Sequence, residues 1–135
     1  MAETVKGINI KLGLDTTEIE ANLKTLNGEL KEQKKDLAAI NKNLRFDASN
    51  LDLWRQKQDK INQVLDKTKQ KLDEQNKRLD EAKKAIALGA MSEEEFNKLK
   101  RSVQYTEAEL AKLNNELMQT RAKNSKLIRF KRGRD

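Results

Sequence analysis

The sequence predicts an all-α fold of three long helices packed antiparallel as a coiled coil, with a short β-strand in front of them. Three observations carry this. Apolar residues recur in alternating steps of four and three through three successive segments, an average spacing that keeps a narrow seam against a partner helix. The 135 residues are 38% charged, 36% hydrophobic and only 4% aromatic, with no proline, the composition of long solvated helices rather than of a compact core. The segments are separated by turn formers at residues 45–50 and 88–91, where the chain can fold back on itself.

Composition also bounds function. There is no cysteine and no histidine, so disulfides, thiolate metal sites, the usual general base and the commonest metal ligand are all excluded. An enzyme is the class least expected, and no cofactor or metal site is indicated. No apolar run is long enough to span a bilayer, and the N-terminus is too polar for a signal peptide. The net charge of +7 is unevenly spread: residues 121–135 hold seven Lys/Arg against one Asp, so the rest of the chain is nearly balanced.

Taken in order, residues 1–15 form an arm in which Ile8, Ile10, Leu12 and Leu14 alternate with other residues at the two-residue period of a strand. A lone strand is not stable in water, so it pairs on assembly or stays flexible. The first helix is expected over residues 16–44, opened by a capping box of Thr17 and Glu20. Its seam runs Ile19, Leu23, Leu26, Leu30, Gln33, Leu37, Ile40, Leu44, with Gly28 off the seam. In the following turn Asp47 or Ser49 is the expected cap, and Phe46 and Leu51 are placed to staple across it.

The second helix, residues 50–88, has the clearest seam: Trp54, Gln58, Ile61, Leu65, Thr68, Leu72, Gln75, Leu79, Ala82, Ile86. Gly89 can take the left-handed conformation that closes a helix, and Ser92 with Glu95 is a second capping box. The third helix, residues 92–128, carries Phe96, Leu99, Val103, Thr106, Leu110, Leu113, Leu117, Thr120, Asn124 and Leu127. An antiparallel hairpin at the 89–92 turn places Ile86 near Phe96, Leu79 near Val103, Leu72 near Leu110 and Leu65 near Leu117. The same register brings Gln75 beside Thr106 and Gln58 beside Asn124, a coincidence of polar positions that supports it. Folding helix one back on helix two sets Ile40 near Trp54, Leu30 near Leu65 and Leu23 near Leu72. Residues 129–135 break the heptads and are expected to form a frayed, basic, disordered tail.

Most charged residues read as a solvated face stabilised by helical ion pairs, including Asp73 and Glu74, whose alternative is an acid/base pair. Trp54 reads as a plug for the turn, with ligand stacking as the alternative. The cations Arg121, Lys123, Lys126, Arg129, Lys131, Arg132 and Arg134 have two readings, a solvated chain end or salt-sensitive contact with nucleic acid. The seams are equally compatible with one chain folded on itself and with an intermolecular bundle, so homo-oligomerisation stays open.

An ordered set of phrases adds a resemblance. Gly7-Ile-Asn-Ile10 and Asp15-Thr16, then Leu44-Arg-Phe-Asp47-Ala-Ser-Asn50, Gln56-Lys57-Gln58, Thr68-Lys-Gln-Lys71-Leu72 and Thr106-Glu107-Ala108-Glu109-Leu110 resemble the opening region of tail tape measure proteins from phages of Gram-positive bacteria. The likeness covers residues 5 to about 118, with Ala48 standing where that family usually has proline. It implies a structural phage tail protein, found in the virion tail or in the host cytoplasm during assembly. There its length would help set tail length, and tail tube protein and tail assembly chaperones would be its partners. Since members run to many hundreds of residues, the resemblance implies a fragment, a truncated prophage product or a small relative. The alternatives from other classes are a nucleic-acid-binding coiled coil using the basic end and a generic coiled-coil adaptor.

Overall fold

The computed structural model describes residues 16–134, and every element among them is helical: α1 (Thr17–Phe46), α2 (Leu51–Ala87) and α3 (Glu93–Arg134). The expected strand over residues 5–14 lies outside the described residues. At about 1.5 Å per residue α2 is about 55 Å long and α3 about 63 Å. Both far exceed an ordinary globular helix. α2 is the middle member, antiparallel to α1 on one side and to α3 on the other.

The ends of the helices follow local chemistry, with corrections to the sequence reading. α1 begins one residue earlier in capping terms than expected: Thr16 is the N-cap, without a side-chain cap hydrogen bond, and Thr17 is already helical. The Glu20 amide donates to the Thr16 carbonyl at 2.9 Å, while Glu18 and Glu20 lie in the first turn, where the helix dipole favours acids. In the first connection the cap is Asn50, not Asp47 or Ser49. Its Oδ1 accepts from the Leu53 amide at 3.1 Å, and its Nδ2 donates to the Asp47 carboxylate at 3.0 Å. An amide side chain can do both at once, which an ionised carboxylate, an acceptor only, cannot. The staple does not form, since Leu51 is buried but Phe46 is 84% exposed.

The second connection closes at Gly89 as expected, but of the expected capping box only the Ser92 half forms among the described residues. Gly89 has φ +72°, its amide donates to Ile86 O at 3.1 Å, and the Ala90 amide donates to Ala85 O at 2.8 Å. This pair of bonds is a Schellman closure, and it requires the left-handed residue that glycine supplies. Ser92 Oγ then accepts from the Glu95 amide at 3.2 Å and starts α3, with Glu93, Glu94 and Glu95 in the first turn.

α3 does not end at residue 128. The frayed tail expected over 129–135 is replaced by helix continuing to Arg134. Leu127 and Ile128 are half-buried and anchor that stretch. The residues beyond are good helix formers until Gly133, and their cations suit the negative end of the dipole.

Every seam position of the three helices is buried or half-buried. The centre is a cluster of Leu37, Ile61, Leu65 and Leu117, with Leu110 and Leu113 packed on it, so all three helices share one core. Val103 belongs to the buried set, as do Leu26, Leu30 and Leu44 on α1. Leu23, Ile40, Trp54, Leu72, Leu79, Ile86, Phe96 and Leu99 are half-buried. The three core threonines satisfy themselves. Thr68, Thr106 and Thr120 are at most 1% exposed, and each donates its hydroxyl to the carbonyl four residues back: Val64, Ser102 and Glu116, at 2.6, 3.1 and 2.7 Å.

Candidate interaction surfaces

The register-setting contact is a direct amide clasp. Asn124 Nδ2 donates to Gln58 Oε1 at 2.7 Å and lies 3.3 Å from the Trp54 carbonyl. Asn124 is 6% exposed, so its amide must find partners or leave a desolvated polar group. This is the pairing that the sequence register requires. The second expected polar pair is not joined in the same way. Gln75 and Thr106 line one shallow cleft, but the Thr106 hydroxyl turns back to Ser102, and Gln75 Oε1 is buried without a hydrogen-bond partner.

Trp54 is a plug for the first turn. Its Nε1 donates to the Ala48 carbonyl at 2.8 Å, tying the start of α2 to the loop before it. Two ammonium groups stand over the ring, Lys57 at 5.1 Å and Lys123 at 5.8 Å from its centre, within cation–π range. Lys123, one of the cations of the basic end, is thereby half-buried and engaged inside the bundle.

A feature the seam does not reveal is a second stripe on α2. Leu53, Lys57, Lys60, Val64, Lys67, Lys71, Glu74, Arg78, Glu81 and Ala85 recur in the same three-four steps, and all are buried or half-buried. Three of them reach α1 as ion pairs: Lys67 to Glu29 at 2.6 Å, Lys60 to Asp36 at 3.4 Å and Arg78 to Glu20 at 3.2 Å. The long aliphatic stems cover apolar surface while the charged heads pair at the edge. A periodicity count of apolar residues alone misses the stripe, because only Leu53, Val64 and Ala85 in it are apolar. Those three nonetheless sit in four-three register with one another and are the signal that was available.

α1 and α3 face each other across a groove of about 400 Å³ lined by Lys34, Leu37, Val64, Tyr105, Glu109 and Leu113, among others. Lys34 and Glu109 bridge it at 3.3 Å. Nearer the second turn the three helices leave an open cleft of about 610 Å³, walled by Leu23, Lys71, Gln75, Arg78, Leu99 and Ser102. No group of acidic side chains placed to hold a metal ion occurs among the described residues. Asp73 is exposed, whereas Glu74 takes Lys77 at 3.1 Å. Successive helical residues diverge by about 100°, so these two carboxylates do not converge on one site.

The basic end is distributed along the outside of α3. Arg121, Lys126, Arg129, Lys131 and Arg132 are exposed, and Arg134 is the last described residue of the helix. No helix among the described residues is long and apolar enough to cross a membrane. Comparison with models of protein families, with curated proteins and with solved structures finds no match to this chain.

Proposed function

We propose that this chain is a structural coiled-coil element of a phage tail, the opening helical region of a tape-measure-like protein. The observation that carries the reading is architectural: long rods joined by the Gln58–Asn124 clasp, packed along narrow stripes rather than around a globular core, with charged faces turned outward. A helix gains about 1.5 Å per residue, so each rod converts its own residue count into distance, and the three side by side span about 63 Å, the length of the longest. The resemblance of residues 5 to about 118 to tape measure proteins supplies the identity of the assembly. On this reading tail tube protein and tail assembly chaperones are the partners that meet the outward faces.

The test is association with tails. The chain, carrying an affinity tag, is expected to retain tail tube subunits when the two are co-expressed, and an antibody to it is expected to label purified tails. Absence from purified tails together with failure to retain tube subunits overturns the reading.

A further inference from the structure

Residues 117–134 contain seven Lys/Arg and no Asp or Glu, and the structure makes this stretch a rigid helix. At 3.6 residues per turn Arg121, Arg129 and Arg132 fall within roughly 80° of one another around the axis, with Lys126 at the margin. Arg121 borders the seam at Leu117, but the four cations together centre roughly 140° around the axis from Leu117, Thr120, Asn124 and Leu127, and all four are exposed. From Arg121 to Arg132 it extends about 16 Å. Ion pairs elsewhere in the molecule engage cations of α1 and α2, and Lys34 with Glu109 of α3; among the described residues none engages Arg121, Lys126, Arg129 or Arg132. Arg129 makes an intrahelical hydrogen bond, Nε to the Ser125 carbonyl at 3.4 Å.

We propose that the face of α3 carrying Arg121, Lys126, Arg129 and Arg132 is a sequence-independent site for the phosphate backbone of nucleic acid. Guanidinium groups fit phosphate oxygens in bidentate fashion, and a straight helix presents them without a backbone ordering cost. Other polyanionic surfaces fit less well. Past Met118 the uncharged residues on this face are Ala122, Ser125 and Gly133, too small to anchor a protein interface, which relies on large buried side chains. A lipid surface requires an apolar stripe to insert. Here Leu127 and Ile128 are already half-buried, and the exposed large apolar residues of this stretch, Met118 and Phe130, stand about 120° apart around the axis and form no stripe. The inference is independent of the tail assignment.

The experiment measures anisotropy of a fluorescein-labelled 30-base-pair DNA of mixed sequence titrated with the full chain, repeated from about 50 to 200 mM salt. Four phosphate contacts give a slope of log affinity against log salt of about −3.6, roughly a hundredfold loss over that range. Replacing Arg121, Arg129 and Arg132 by Gln is expected to bring the slope to about −0.9, and replacing the same three by Lys is expected to preserve it. The same loss of charge near the other end of α3, at Lys98, Lys100 and Arg101, is expected to leave the slope unchanged. Circular dichroism verifies that each variant is folded. Equal slopes lost by both Gln triples, no binding by the wild-type chain at 50 mM salt, or retention by anionic vesicles without retention of the duplex each overturns the proposal.

Discussion

The two stripes of α2 solve one problem, contact with a neighbouring helix, by different chemistry. The ridge of Ile61, Leu65 and Leu72 meets the shared core with apolar side chains, and Ile61 is fully buried. The neighbouring stripe meets α1 largely through Lys60, Lys67 and Arg78, whose heads stay at the rim with acids of α1. Apolar burial contributes in proportion to area removed from water, whereas rim ion pairs contribute typically under 1 kcal/mol each and weaken with salt. The ridge therefore carries stability, and the charged stripe chiefly selects which face of α1 docks.

The sharpest way to break this contrast is at its apolar side. Ile61→Ala is expected to cost about 2–5 kcal/mol, read as a lowered urea midpoint with an unchanged slope. An effect below about 1 kcal/mol would mean that the core is not where the burial places it. Next comes the clasp. Asn124→Ala leaves Gln58 without its partner and is expected to cost about 1–3 kcal/mol. Replacing both Gln58 and Asn124 by Leu restores or raises the melting temperature but frees the register, which cross-linking between engineered cysteines on α2 and α3 would detect.

Smaller effects sharpen the α1 side. A Cβ at Gly28 meets nothing within 4 Å, so Gly28→Ala is expected to raise stability by about 1 kcal/mol through helix propensity alone, measured by thermal melting. Least of all, Glu29→Gln removes the 2.6 Å pair with Lys67 and is expected to cost only a few tenths of a kcal/mol at low salt, and nothing measurable at high salt. A larger, salt-independent loss would show that the charged stripe is structural in its own right.

The same contrast explains what was legible in the sequence. The ridge was readable because leucine and isoleucine at heptad spacing have few other uses, and the α2–α3 register followed from the turn at 89–92, with Gln58 and Asn124 coinciding in its support. Gly89 and Ser92 were readable because a left-handed closure and a hydroxyl cap each demand a particular residue type. The charged stripe was not readable, because Lys and Arg in a half-buried row look like a solvated face until the stems are seen to be covered. Asn50 was missed because Asp47, Ser49 and Asn50 can each cap, and only the geometry of the loop chooses among them. The last turns of α3 were missed because leaving the heptad pattern does not end a helix when its residues favour helix on their own. Of the basic end, the charge was plain but its arrangement was not: Lys123 is drawn under Trp54 while its neighbours stay outside.

The three core threonines have a mechanical corollary. Each directs its hydroxyl along its own helix, so parting α3 from α2 orphans none of them. The amide of Asn124, by contrast, cannot leave without losing its acceptor. Peeling started at the Gly89 end breaks apolar contacts alone as far as residue 120, and among the described residues the hydrogen bonds between the two helices yield only at 124, which makes the far end of this hairpin its polar latch.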